Sequence, residues 1–275
     1  MSLFADDANY YKSGHDCFEL IHNVNRNIKA LSKWFLANRL SLNYIKTESM
    51  LFSRKNVYFP FPPIVIDDIP VPYSVKFKFL GLLIDFKVKW KVHIQHVRSK
   101  LSSVCGIIYN IRHKITIPVA KVLYFSLAYS HLTYCSSIWS SAHNSYLQML
   151  GVTQRKILRI ICKSNRRSNT SALFKQMKFL KTSDIFKLNT LLFVYKSINN
   201  LIESPIMYNN RYIEAYNLRG RPQLAIPNHL SKQSERFIHI RGAKWWNDLP
   251  ENIKNCRSLC SFKFQFKKYC LDSYG

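Results

Sequence analysis

Two adjacent carboxylates, Asp6 and Asp7, follow an apolar Leu3-Phe4 approach and precede Tyr10-Tyr11. That pattern predicts a short hairpin over residues 2–12 with the acids at its turn. A turn projects both side chains outward, where their oxygens can hold divalent cations against a triphosphate. Two-metal phosphoryl transfer needs this contribution from one strand. An Asp-Asp turn without such chemistry looks the same in sequence, so the pair takes its meaning from what surrounds it. A second pair, Asp67-Asp68, stands between two β-branched runs and before Ile69-Pro70. It reads as a plain turn, and no chemistry is assigned to it.

Other residue types that carry chemistry give weaker patterns. Seven cysteines are irregularly spaced, and the start Met-Ser-Leu-Phe-Ala-Asp-Asp shows no basic region followed by an apolar run. The thiols are therefore expected to be reduced and mostly buried. Cys256, Cys260 and Cys270 are the tightest set, with His239 the nearest histidine upstream. That spacing fits no familiar zinc pattern, and zinc is not assigned. His93 and His96 lie three residues apart with no cysteine or carboxylate beside them, and a solvated or backbone-facing role is expected.

Charge is the strongest signal beyond the acidic pair. The formal net charge is +26, and from Phe86 to Ser183 there are 17 Lys and Arg and no Asp or Glu. Most soluble surfaces intersperse both signs. A long one-sign stretch leaves a field that attracts polyanions, and nucleic acid is the commonest of them, because each phosphate contact releases counterions. No stretch approaches the ~20 apolar residues of a membrane-crossing helix, so no membrane partner is expected.

The elements that must position these groups follow from periodicity. Phe18, Ile21, Val24, Ile28, Leu31 and Phe35 recur at three and four residues and predict a buried amphipathic helix. From Thr47 to Asp85 the period changes to short β-branched or aromatic runs, at 50–52, 64–66, 71–75 and 77–84. Pro60, Pro62, Pro63, Pro70 and Pro72 break them, which predicts two hairpins. After Trp90, the spacing of Ile94, Val97, Leu101, Val104, Ile108 and Ile111 predicts a helix with one narrow apolar stripe. Pro118 is placed for the first turn of another helix. Further helices are expected over about 145–163 and 171–199. The latter breaks near Lys181, with Thr182 or Ser183 as cap. Residues 204–240 read as irregular, and a last helix is expected over about 258–271. Only 7 glycines in 275 residues favour helices over a many-stranded barrel.

The order of these pieces resembles the second half of a reverse transcriptase of the non-LTR (LINE-like) retrotransposon class. Phe4-Ala5-Asp6-Asp7 is similar to that family's central catalytic motif. Leu42-Asn43-x-x-Lys46-Thr47 resembles the palm motif that follows, placed on a strand. Phe79-Leu80-Gly81 with Asp85, Trp90 and His93 resembles the primer-grip hairpin and the entry to the thumb. Tyr124–Tyr134 with Trp139, and Arg241-Gly242-Ala243-Lys244-Trp245-Trp246-Asn247-Asp248-Leu249-Pro250 with Phe262-Lys263, resemble the tail after the polymerase.

The resemblance implies an α+β fold: a small antiparallel partial palm of hairpins and one helix, then a mainly α-helical thumb and tail. The corresponding divisions are 1–86, 87–200 and 201–275. It implies Asp6 and Asp7 as catalytic metal ligands for Mg²⁺, Lys46 beside the triphosphate, and Phe79, Leu80 and Gly81 at the primer end. Template and primer would be tracked by Lys87, Lys89, Lys91, Arg98, Lys100, Arg112, Lys114, Arg155, Lys156, Arg159, Arg166 and Arg167. The family completes its metal site with an aspartate on a strand well upstream of the Asp-Asp hairpin, and only five residues precede Asp6 here. The expectation is thus a fragment of an RNA-directed DNA polymerase, inactive alone. The alternative is a non-catalytic basic nucleic-acid-binding module, with exposed Trp245 or Trp246 available for stacking and at least one of them buried. A third reading is a fragment that docks onto a complementary polymerase piece.

Overall fold

Hairpins and one helix occupy the first third of the chain and helices dominate the rest, the α+β arrangement expected. The computed structural model describes residues 1–53, 61–165, 167–203, 223–226, 228 and 231–274. These divide into two units, Met1–Val88 and Lys89–Gly275.

In the first unit, β1 (Ser2–Phe4) and β2 (Asp7–Asn9) pair antiparallel with Phe4 opposite Asp7. The turn is therefore Ala5-Asp6 rather than Asp6-Asp7, and Ala5 is left-handed at φ 52°. Helix α1 (Cys17–Ala37) starts at Asp16, whose carboxylate accepts from the Glu19 N–H at 2.8 Å. Its apolar stripe is less covered than its periodicity implies. Ile21 is buried, Val24, Ile28, Leu31 and Phe35 are half-buried, and Phe18 is exposed.

Two hairpins follow, as the proline-broken runs imply. β3 (Ile64–Ile66) pairs with β4 (Ile69–Val71), and β5 (Lys76–Phe79) with β6 (Leu82–Asp85). Each closes on a two-residue turn with both φ angles positive, Asp67-Asp68 and Leu80-Gly81. That geometry matches the right-handed twist of the flanking strands. The run at Met50–Phe52 is not a strand. Ser49 makes an isolated parallel bridge to Tyr73, and residues 54–60, Pro60 included, lie outside the described residues.

Side chains rather than a continuous sheet hold this unit together. The three pairs are separate two-stranded sheets. Asn25 on α1 accepts from the Val65 N–H and donates to the Pro63 carbonyl, locking the helix to β3. Asn27 donates to the Tyr10 hydroxyl at 2.7 Å, tying the exit of the first hairpin to the same helix. Asp67 accepts from Ser32 on α1 and from the Tyr44 hydroxyl, and these bonds hold its carboxyl below the usual range. The Asp67-Asp68 turn is thus a structural clasp.

In the second unit, α2 (Lys91–Ile111) and α6 (Asn144–Ile161) form the largest helix–helix contact. Arg98 meets Met149, and Cys105 feels the charge of Lys156, so the helices run parallel. Ile94, Val97, Leu101, Val104 and Ile108 of α2 are buried, as their spacing requires. Each such aliphatic side chain contributes about 1.5–3 kcal/mol on transfer from water. Between these helices lie α3 (Ile117–Leu123), a π-helical stretch Tyr124–Tyr129, α4 (Ser130–Thr133) and α5 (Ser136–Trp139). Pro118 stands in the first turn of α3, as expected.

Beyond α6 come α7 (Thr170–Met177) and α8 (Thr182–Ile198), separated by a left-handed Lys178. Thr182 does not cap α8 with its side chain. Its hydroxyl donates to Gln154 at 2.7 Å, and Lys181 is the N-cap residue. Helices α9 (Ile238–Asn247), α10 (Glu251–Lys254) and α11 (Leu259–Asp272) complete the unit, with Ser258 capping α11 through the Ser261 N–H. Both α9 and α11 pack on α8. Tyr195, Trp246 and Phe262 form an aromatic cluster at that junction. Most of the irregular stretch expected over 204–240 lies outside the described residues.

Candidate nucleic-acid interface

The acidic pair is where a hairpin must put it. Asp6 sits in the β1–β2 turn and Asp7 opens the return strand, and both are exposed. Lys46 is also exposed, but it does not lie on a strand. Asn43 caps a 3₁₀ turn over Tyr44–Lys46, accepting from the Lys46 N–H at 3.2 Å, while the Thr47 hydroxyl donates to the Asn43 carbonyl at 2.8 Å. Local Asx capping overrides the strand that the motif implied. Among the described residues, no hydrogen bond or ion pair joins Lys46 to Asp6 or Asp7.

A divalent ion needs several oxygen ligands, and Mg²⁺ prefers octahedral coordination. Among the described residues, no group of three or more His, Cys, Asp or Glu is arranged to hold a metal. Asp6 and Asp7 by themselves supply fewer ligands than such an ion takes. The cysteines are free; Cys256 is half-buried, Cys260 exposed and Cys270 buried.

Phe79, Leu80 and Gly81 form the end of the β5–β6 hairpin. Phe79 is half-buried and paired with Leu82, its ring 6.2 Å from that of Phe77, whereas Leu80 is exposed at the tip beside Gly81 at φ 82°. The structure brings these three together as one projecting turn.

The basic residues divide by what else they touch. Lys89, Lys91, Arg98, Lys100, Lys114, Arg155, Lys156 and Arg167 are exposed. Lys87 is half-buried, with its ammonium 5.4 Å from the Phe86 ring centroid. Arg112 lies over Tyr109 at 3.6 Å and donates to the Tyr109 carbonyl, and Arg159 donates to the Ser168 carbonyl at 3.3 Å. These two arginines thus hold local structure with part of their donor set. Arg166 lies outside the described residues. The packing of α2 on α6 puts Lys91, Arg98, Lys100, Arg155 and Lys156 on two adjoining helices. His131 on α4 extends the α2 group. Burial, then Lys100 and His96, push its pKa below the ordinary imidazole value, so cations crowd here without a compensating acid.

Of the two roles expected of His93, solvated or backbone-facing, burial rules out the first. The residue is buried, edge-on to Trp90 at 6.3 Å and to Trp139 at 5.4 Å, and burial with the nearby His96 lowers its pKa to about 4. Trp139 in turn meets Phe186 at 4.9 Å and donates to the Tyr134 carbonyl at 2.7 Å. His93 is thus a neutral core residue that joins α2 to α5. Its place four residues before Val97, on the apolar stripe, was the available signal. In the tail, Trp246 is buried while Trp245 is half-buried beneath Arg241, 4.7 Å away.

No helix among the described residues is long and apolar enough to cross a membrane. No protein-family model matches the sequence, and no solved structure matches it. Over 247 residues, 88% of this chain, the sequence is 24% identical to a probable RNA-directed DNA polymerase from transposon X-element of Drosophila melanogaster. The chain spans about a quarter of that protein's length, 25%. It is similar to one region of a transposon-encoded RNA-directed DNA polymerase.

Proposed function

We propose that this chain is a nucleic-acid-binding segment of a reverse-transcriptase-type polymerase that does not polymerise by itself. The observation that carries the reading is the acid-free run of residues 86–183, in which exposed Lys91, Arg98, Lys100, Arg155 and Lys156 lie on the packed pair α2 and α6. Similarity to a transposon polymerase supports the same reading. In this proposal, residues 1–86 act as part of a palm, 87–200 as a thumb and 201–275 as a tail. Helix α2 lies along the template–primer duplex, and the Phe79–Gly81 turn supports the primer end. Asp6, Asp7 and Lys46 are this segment's share of an active site whose remaining carboxylate it does not supply.

The test is fluorescence anisotropy of a labelled RNA–DNA duplex titrated with the chain at several salt concentrations. Phosphate contacts release counterions, so log K should fall linearly with log salt, by about 0.9 per contact. Substituting Lys91, Lys100 and Lys156 together by Gln should flatten that slope by roughly 2–3. A slope near zero for the unaltered chain would refute the proposal.

A further inference from the structure

Three lysines outside the α2–α6 pair come together from distant parts of the second unit. Lys121 belongs to α3, Lys178 follows α7, and Lys267 belongs to α11. Phe179 anchors the group. It is buried, and its ring stacks on Tyr124 with centroids 4.2 Å apart. Lys121 reaches over the same Phe179 ring, with Nζ 5.7 Å from its centroid. Lys178, the preceding residue, is fixed at φ 55°, and its N–H bonds back to α7. Helix α11 packs against α7 and brings in Lys267, which is half-buried.

Among the described residues, no ion pair joins any of these three ammonium groups to a carboxylate. Burial, then the charges of Lys121 and Lys178, push the Lys267 pKa below its ordinary value. Gathering like charges at a partly dry place costs stability unless a counter-charge is bound. Lysine suits a phosphate oxyanion as a point charge with three donors, and three of them on separate elements can approach one phosphate from several sides.

We propose that Lys121, Lys178 and Lys267 form a phosphate-binding site that takes the oxyanion either free or within a nucleic-acid backbone. The backbone source rests on the nucleic-acid reading above, and the free source does not.

The test uses the full chain, its Lys267→Met and Lys121→Gln variants, and Lys268→Met as a neighbouring exposed control. Two probes are used: tripolyphosphate by calorimetry and thermal shift, and a labelled RNA–DNA duplex by anisotropy. Tripolyphosphate should raise the melting temperature of the unaltered chain and of K268M. K267M and K121Q should each weaken its binding about tenfold, the worth of one charge-assisted contact. In buffer alone K267M should melt no lower than the unaltered chain, because a repulsion has gone.

Loss confined to tripolyphosphate supports a free anion, and loss confined to the duplex supports the nucleic-acid backbone. Should K267M misfold, K121Q decides alone. If both variants bind both probes as the unaltered chain does, the site is refuted while the nucleic-acid reading stands. Failure of the unaltered chain to bind the duplex, with tripolyphosphate binding lost in the variants, refutes that reading and keeps the site. If the unaltered chain binds neither probe, both fall.

Discussion

The Gln154 side-chain oxygen accepts from both the backbone N–H and the hydroxyl of Thr182, at 2.9 and 2.7 Å. The amide nitrogen of the same residue donates to the Tyr124 hydroxyl and to the Leu180 carbonyl. One buried amide thus joins α6, the π-helical stretch and the start of α8, and meets four polar groups that water does not reach. Gln154→Leu should leave those groups unpaired and cost about 3 kcal/mol or more. Urea unfolding followed by circular dichroism measures it. A change in midpoint equivalent to less than ~1 kcal/mol would show that solvent or repacking satisfies them instead.

His93 predicts a specific pH dependence. Its folded pKa of about 4 lies below the ordinary imidazole value of 6.5, so between those limits the unfolded chain binds the extra proton. Its contribution is complete above pH 6.5, declines as pH falls and is exhausted near pH 4. The lost stability is at most about 3 kcal/mol. His131, lowered in the same direction, adds to the slope. The comparison is therefore between the unaltered chain and His93→Gln, a neutral polar replacement. Thermal midpoints from pH 7.5 to 4 should converge as pH falls. Parallel curves would mean that His93 does not titrate differently on folding.

How far these features could be read from residues alone depends on whether the cause is local. The α2 stripe was legible because one period runs through Ile94 to Ile108 without interruption, and the proline-broken runs gave both hairpins. The resemblance put Lys46 on a strand, but Asn43 caps a 3₁₀ turn over that residue. His93 looked like half of a histidine pair, although it also stands on the buried stripe between Trp90 and Val97. Gln154 occupies the buried face of α6 beside Thr153, but its partners Tyr124, Leu180 and Thr182 are distant in sequence. The same is true of Lys121, Lys178 and Lys267. No local pattern could join groups that only the folded helices bring together.

Arg241 shows the same nonlocal dependence in the tail. Its guanidinium donates to the Ser140 and Ser137 carbonyls and to the Ser140 and Thr190 hydroxyls, fixing α9 to the end of α5 and to α8. A planar fork with donors on several edges suits this set, and an ammonium does not. Arg241→Lys should therefore behave as a damaging change despite its retained charge, costing about 2–4 kcal/mol. Differential scanning calorimetry would record a melting temperature lowered by several degrees. A lysine variant as stable as the unaltered chain would show that charge rather than fork geometry holds α9.

Asp6 and Asp7 carry the sharpest functional prediction. They are exposed at and beside a two-residue turn, with no third carboxylate or histidine grouped with them among the described residues. Catalysis by two metal ions depends on position as well as charge, and an incomplete ligand set loses both. The chain alone should therefore give no detectable primer extension with Mg²⁺, deoxynucleotides and an RNA template, even at concentrations that saturate the duplex. Asp6→Ala should leave duplex affinity within about twofold, because on the proposed reading the cationic helices supply the binding and removing one acid slightly favours a polyanion. Extension that appears with Mg²⁺ and disappears in Asp6→Ala would show that the hairpin is part of a complete active site, and would overturn the account of a binding segment that cannot polymerise.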